Sequence, residues 1–214
     1  MTDKNVSEKA LAELDDESSS REPKQRPGKP GGRRDRNRKE RLKSLSDSAL
    51  ELFLEQGIQA TTIDHITKAA GVAKGSFYRY FDDKRAIVAF IFEEMNETVE
   101  RLLKQCSQDL ENAGDDYDGM NQAYAALGLG LGMYLLSNQK LVRLYIQESR
   151  GPSAGPTQPV RAVADLISHY AIEITRQAHK QKLLRPFPAE ISALLVVGAC
   201  EKLFFAHLEG MDLG

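Results

Sequence analysis

The chain has 214 residues, enough for one large or two small domains with a buried core. Hydrophobic residues make up 41% and charged residues 28%, a balance typical of a soluble globular protein. Two cysteines, Cys106 and Cys200, are too few for a disulfide scaffold or a zinc site. We expect no metal and no cofactor, and both thiols to be buried in a reducing compartment.

The net charge of −2 conceals an uneven distribution: residues 1–20 are acidic, whereas residues 21–43 are strongly basic. Residues 1–34 are rich in Ser, Pro and Gly and poor in large apolar side chains. Because this composition cannot offset the entropy of ordering, we predict a disordered basic arm. The arm favours a polyanion as partner, although a tail that only aids solubility remains open. Its basic residues are Arg21, Lys24, Arg26, Lys29, Arg33 and Arg34.

Two stretches are apolar enough to raise the question of a membrane. The stretch "AALGLGLGMYLL" is too short to cross a bilayer, and "ISALLVVGACEKLFFAHL" is interrupted by Glu201, Lys202 and His207. The first twenty residues lack the apolar run of a signal peptide. We therefore expect a cytoplasmic protein without a membrane partner.

The segment from Arg36 onward predicts helices. Apolar residues recur at helical spacing up to Gly57, which we expect to end the first helix in a left-handed conformation. Further on, "NAGDDYDG", "SRGPSAGPTQP" and "LLRPFP" predict turns between helices, and strand-like alternation is hard to find. The predicted fold class is all-α.

Residues 62–81 predict a helix-turn-helix. Thr61 or Thr62 can cap a first short helix, and Gly71 supplies a tight turn. A second short helix follows from Lys74, with Val72 as an apolar anchor in the turn. Two short helices joined by about three residues that include a glycine are typical of this motif.

The second short helix carries a dense aromatic run, "SFYRYF". At about 100° per residue, Phe77 and Phe81 share one face and are predicted to be buried. The tyrosines are predicted to be displayed, with Tyr80 on the flank of the helix. Displayed polar side chains can donate hydrogen bonds to phosphates and base edges. Those that fall away from the buried face are Gly75, Ser76, Tyr78 and Arg79.

A third helix is predicted to begin at "FDDK", with Asp82 as its cap. Lys84 in a first turn opposes the helix macrodipole by a few tenths of a kcal/mol. A phosphate bound at this helix end would reverse that balance. Alternatively, Asp83 only neutralises Lys84.

The stretch "ALELFLEQGIQATTIDHITKAAGVAKGSFYRYFDDKRAIVAFI" resembles the DNA-binding domain of the TetR family of bacterial transcriptional regulators. The resemblance covers roughly residues 38–95. One departure is Ala73, because the family usually has Ser or Thr as the cap of the recognition helix, and Ala there costs about 1 kcal/mol. The resemblance implies a DNA-binding domain over residues 35–82 and a helical ligand-binding and dimerisation domain over residues 83–214.

The resemblance also implies an Ω-shaped homodimer that binds a palindromic operator and releases it when a small-molecule effector binds. Thr61 or Thr62 would contact the DNA backbone, Lys84 would hold a phosphate, and Arg79 would reach a guanine edge or the backbone. The residues implied to face the major groove and its phosphates are Lys74, Gly75, Ser76, Tyr78 and Tyr80.

The part of the chain after residue 96 has no sharp motif. The helix predicted for "SALLVVGACEKLFFAHLEG" is apolar on more than one face, which suits both a core and a dimer seam. Many family members have one further helix in that seam, so we expect the seam here to rest more on this helix. Core packing and a ligand pocket are both open for several side chains: Tyr124, Met133, Tyr134, Tyr145 and His169.

Among functions, a ligand-released DNA-binding repressor is favoured. No arrangement of nucleophile and base, metal ligands or phosphate loop stands out, and the four histidines are scattered, so we expect no enzyme. The alternative is a DNA-binding regulator without a ligand, or a nucleoid-associated interaction protein.

Overall fold

The computed structural model describes residues 32–185 and 187–212, and over these ranges the chain forms helices and no strand. The all-α prediction is confirmed. The predictions for residues 1–31 of the arm lie outside the described residues. The helices are α1 (Arg33–Ala60), α2 (Ile63–Ala69), α3 (Lys74–Phe77), α4 (Lys84–Ala113), α5 (Tyr117–Ser137), α6 (Gln139–Glu148), α7 (Gln158–Lys180) and α8 (Ala189–Leu208), with a short 3-10 turn at Gly155–Thr157.

Helix α1 begins at Arg33, so Arg33 and Arg34 belong to the helix and not to the predicted arm. Its buried apolar residues follow the predicted spacing. Gly57 has the expected positive φ, 82°, but its ψ of 158° is extended, and the chain makes one more helical turn to Ala60. The first helix is therefore interrupted at Gly57 and not ended there.

Helix α4 is the long central element of the fold. It packs against α5 on one side and α7 on the other. Its N-cap is Asp83, whose carboxylate accepts a hydrogen bond of 2.8 Å from the amide of Ala86. The prediction that Asp82 is the cap is therefore wrong by one residue. The first residue of α4 is Lys84.

One continuous hydrophobic core joins the helix-turn-helix region to the C-terminal helices. Phe53 of α1, Phe77 of α3 and Phe92 of α4 are its largest fully buried side chains. At about 3–5 kcal/mol for a Phe→Ala change, such residues account for much of the stability of a domain. Helices α1, α3 and α4 are thus packed on one shared core.

Helix α8 is packed on α7 but exposes most of its apolar side chains. It is also the one described helix that is long and apolar enough, by length and composition, to cross a membrane. Cys200 on this helix is exposed, so the prediction that both thiols are buried is wrong for Cys200 and confirmed for Cys106. The exposed apolar residues of α8 are Ile191, Leu194, Leu195, Val196 and Leu203.

Candidate nucleic-acid interface

The start of α2 is held by a reciprocal cap. Thr62 is the N-cap: its hydroxyl accepts from the amide of His65 at 3.2 Å, and His65 Nδ1 accepts from the amide of Thr62 at 3.5 Å. Thr61 is fully buried, and its hydroxyl donates to the carbonyl of Gly57 at 2.8 Å. Of the two candidates, only Thr62 is exposed at the helix end, where backbone amides favour a phosphate.

His65 is an exposed residue at this helix end that the sequence-based reasoning did not select. Its ring also lies 3.2 Å, nitrogen to nitrogen, from the side-chain amide of Gln56. The available signal was its position three residues after a capping threonine, where Glu or Gln is more usual.

The turn between α2 and α3 has the predicted geometry. Gly71 has φ of 65°, a conformation that side chains rarely adopt, and Val72 is half-buried against the core. Ala73 precedes α3 without a side-chain cap. A Cβ added to Gly75 would meet nothing within 4 Å, so the protein's own packing does not require glycine there. The absence of a side chain instead leaves room for something that approaches from outside.

The aromatic run divides between core and surface. Phe77 and Phe81 are buried as predicted, and Tyr78 is 47% exposed. Tyr80, however, is only 7% exposed, so the prediction that it is displayed is wrong. Helix α3 ends at Phe77, and the amide of Tyr80 donates to the carbonyl of Phe77 at 2.8 Å. In such an i→i+3 turn, residues three apart share a face, so Tyr80 lies on the buried side with Phe77.

Lys74 and Arg79 are exposed cationic residues on either side of Tyr78 in the sequence. Lys74 Nζ lies 2.8 Å from the carboxylate of Asp64 on α2, and this contact raises the pKa of Lys74. Both side chains are more than half exposed, so the pair contributes little to stability. A phosphate can therefore compete with Asp64 for the ammonium group.

Lys84 is not displayed in the way that the sequence predicted. Its Nζ donates to the carbonyls of Gln59 and Thr61 at 2.8 and 2.7 Å. Burial lowers the pKa of Lys84, whereas the negative charge of Glu148 acts in the opposite direction. The alternative in which Asp83 neutralises Lys84 does not describe the contact either, since Asp83 is the cap of α4. The role of Lys84 as a phosphate ligand stays a prediction.

The side chains suggested for a ligand pocket have unequal environments. Tyr145 is buried, and its hydroxyl donates to Glu201 at 2.8 Å, whereas Met133 is 63% exposed. Burial raises the pKa values of Tyr124 and Tyr134 to about 12, and the buried hydroxyl of Tyr134 has no hydrogen-bond partner among the described residues. His169 is half-buried beside the ring of Tyr170.

A cleft of about 1010 Å³ lies between α1, α4 and the junction of α5 with α6. Residues of both signs and several apolar side chains line it, and none of the five suggested pocket residues is among those that do. The location of an effector site therefore stays a prediction.

Taken from the residues upward, the N-terminal region is a helix-turn-helix. Its short second helix begins at the exposed Lys74 and is followed by the exposed Tyr78 and Arg79, and the threonine cap of α2 is exposed as well. This arrangement of amides, hydroxyls and cations suits contacts with phosphates and with base edges in a groove. The fold and the site define an all-α DNA-binding protein of the helix-turn-helix class.

Comparison with known proteins agrees with that class. Residues 45–90 match the family model described as bacterial regulatory proteins, tetR family. The chain is similar to the biofilm operon icaADBC HTH-type negative transcriptional regulator IcaR of Staphylococcus epidermidis. The two sequences are 27% identical over 151 residues, and this alignment covers 69% of this chain and 70% of IcaR. Residues 45–90 of the chain thus match the DNA-binding region of the TetR family of bacterial transcriptional regulators, and the regulators similar to it carry the HTH-type description.

Solved structures show the same fold. NalD of Pseudomonas aeruginosa, titled the secondary repressor of the MexAB-OprM multidrug efflux pump, superposes with a TM-score of 0.59 at 21% identity, over 80% of this chain and 86% of that one. FadR of Bacillus subtilis in complex with stearoyl-CoA superposes with a TM-score of 0.55 at 18% identity, over 78% of this chain and 87% of that one. At these identities the likeness concerns the fold alone.

Proposed function

We propose that the chain is a homodimeric repressor that binds a palindromic operator and leaves it when a small-molecule effector binds. The observation that carries this proposal is the division of the aromatic run in α3. Phe77 fixes the helix to the core, and its neighbour Tyr78 is exposed beside two cations. Tyr78 contacts the core through the edge of Phe77, but nearly half of its side chain is exposed and available to a partner.

The DNA contacts follow from this surface. The cap of α2 at Thr62 and the open backbone at Gly75 would approach phosphates, while Tyr78 and Arg79 would reach base edges or the backbone. Ser76 is half-buried at the same helix and can donate one hydrogen bond. Tyr80 and Thr61 are buried in the free protein and leave this set.

The dimer would form through α8. Exposed side chains on this helix include Leu195 at 65% and Val196 at 61%, and a concentration of large exposed apolar residues typically marks an interaction site. Helix α3 has four residues, too few to specify a site alone, so two copies related by a two-fold axis would read two half-sites.

The double substitution Leu195→Glu and Val196→Glu tests this seam and should give a monomer in a measurement of the protein's mass in solution. Sedimentation of the unaltered protein with lipid vesicles, instead of a soluble dimer, would contradict the seam.

The effector is proposed to be a small molecule that binds among α4, α5 and α7. The neighbours support its class only: one solved structure is a complex of SmeT with triclosan and another a complex of FadR with stearoyl-CoA. In this chain, the unpartnered buried hydroxyl of Tyr134 is a group that a polar ligand atom could satisfy. The IcaR relative is named a negative regulator, which supports repression.

The experiment that tests the function is capture and sequencing of genomic fragments bound by the full chain. The proposal expects a short inverted repeat, and the mass of the complex with one duplex should correspond to an even number of subunits. A single subunit on an asymmetric site would contradict it. The second candidate, a regulator without an effector, is favoured if metabolite extracts fail to relieve a mobility shift.

A further inference from the structure

Two charged residues in this chain lie at the unfavourable ends of their own helices. Lys84 is the first residue of α4, where the helix dipole disfavours a cation. Glu148 is the last residue of α6, where the dipole disfavours an anion. Each placement costs a few tenths of a kcal/mol, so neither charge is there for the benefit of its own helix.

Both charges instead contact residues 57–62, called here the α1–α2 linker, which comprise the break at Gly57, the last turn of α1 and the cap of α2. The Glu148 carboxylate accepts a hydrogen bond of 3.0 Å from the amide of Ile58, the residue after the break at Gly57. Lys84 Nζ donates to the carbonyls of Gln59 and Thr61 a few residues further on. A free amide and two free carbonyls, all left by the interrupted helix, are thus satisfied from α6 and α4.

The linker ends at Thr62, the cap of α2. Other residues of α6 contact α8 and the residue that follows it. On α6, Tyr145 donates to Glu201 of α8 at 2.8 Å, and Arg143 contacts Glu209 just beyond α8 at 2.7 Å. One ten-residue helix therefore touches both the last helix and the linker that sets the position of the helix-turn-helix.

We propose that Glu148 is a positioning residue for DNA binding: by holding the Ile58 amide, it fixes the α1–α2 linker and makes the orientation of α2 and α3 depend on the position of α6. Glu148 does not itself face the DNA surface formed by Thr62 and Tyr78. The inference rests on the proposed DNA-binding function. It adds one residue and one hydrogen bond through which the C-terminal helices act on that surface.

The test compares three variants of Glu148 in the full chain. Glu148→Ala removes the acceptor, Glu148→Asp keeps the charge but is one methylene shorter, and Glu148→Gln keeps an acceptor oxygen at the same length without the charge. The matched control is Glu51→Ala, which removes another contact between α1 and α6, the ion pair of Glu51 with Lys140. Amide exchange at Ile58 is measured by NMR. Affinity is measured for a duplex selected from a random pool, against a scrambled duplex.

We expect Ile58 exchange to accelerate at least about tenfold in the Ala variant, the ratio that corresponds to about 1.4 kcal/mol. Affinity for the selected duplex should fall by a similar factor, with an unchanged salt dependence because no phosphate contact is lost. The Asp variant should resemble Ala, whereas the Gln variant should restore exchange and affinity to within about twofold to threefold of the unaltered chain. The Glu51 control should change neither.

Several results would overturn the proposal. Unchanged Ile58 exchange in the Ala variant would show that Glu148 does not hold the linker. A Gln variant whose Ile58 exchange accelerates and whose affinity falls as much as in the Ala variant would show the same. An equal loss of affinity in Glu51→Ala would indicate general loosening between α1 and α6. If the Ala variant fails to fold, the Asp and Gln variants decide by the same comparison. Failure of the unaltered chain to prefer the selected duplex would refute the proposed function separately, while Ile58 exchange would still report on the linker.

Discussion

Phe77, the last residue of α3, and Tyr78, the residue after it, should respond to substitution in opposite ways, because Phe77 faces the core and Tyr78 is partly exposed to solvent. Phe77 is fully buried, so Phe77→Ala should cost about 3–5 kcal/mol and lower the melting temperature by about 6–20 °C. Tyr78 is 47% exposed, and its ring makes an edge contact with Phe77 at 5.6 Å between centroids. Tyr78→Phe keeps this contact and removes only the hydroxyl, so we expect stability to change by less than about 0.5 kcal/mol.

The DNA readout separates the two residues further. A hydroxyl that donates to a phosphate contributes about 1.5–3 kcal/mol, so Tyr78→Phe should weaken operator binding by about tenfold to 150-fold. Phe77→Ala, measured well below its melting temperature by circular dichroism and fluorescence anisotropy, should lose affinity only in proportion to unfolding. Equal stability losses in both variants, or full operator affinity in Tyr78→Phe, would refute the assignment of the two faces.

Three further predictions concern charge and burial. Lys84→Met should lower the free energy of unfolding by about 1–3 kcal/mol in urea titrations, because two carbonyls lose their donor. If Lys84 also holds a phosphate, the same change should reduce the salt slope of DNA binding by about one. Burial raises the pKa of Cys106 to about 11. The neutral thiol therefore contributes stability that should be lost as the pH rises from 9 to 11, and over this range the free energy of unfolding should fall less steeply in Cys106→Ala. Deletion of residues 1–31 should reduce the salt slope by about 0.9 for each phosphate that the arm engages, with sequence preference unchanged; an unchanged slope and affinity would rule the arm out.

Much of the fold could be predicted because its cause is local. The spacing of Leu42, Leu45, Ala49 and Phe53 predicts one buried face, and all four are buried. The turn at Gly71 and the start of α3 at Lys74 follow from glycine and from the two short apolar patterns. These signals require no knowledge of what lies elsewhere in the chain, so one sequence is sufficient to find them.

The errors in the site have a different cause. The helical wheel placed Tyr80 on the flank because it assumed that α3 continues, but the helix tightens after Phe77 and turns this ring into the core. For Lys84 the sequence suggests a bound phosphate or Asp83 as partner, because its two carbonyl partners in the structure, at residues 59 and 61, are distant in sequence. Neither the end of a four-residue helix nor a contact across 23 residues is encoded in local periodicity.

The dipole argument nevertheless gives a signal that sequence reasoning can use. A lysine at a helix start is unfavourable in isolation, so its presence indicates that something outside the helix stabilises it. For Lys84 that partner could have been a phosphate, but the structure supplies backbone carbonyls left by the break at Gly57. Glu148 at the end of α6 follows the same logic and contacts the same linker. Two charges that are unfavourable in their own helices thus meet at one interrupted helix. Their placement indicates that Lys84 and Glu148 stabilise the linker and not α4 or α6.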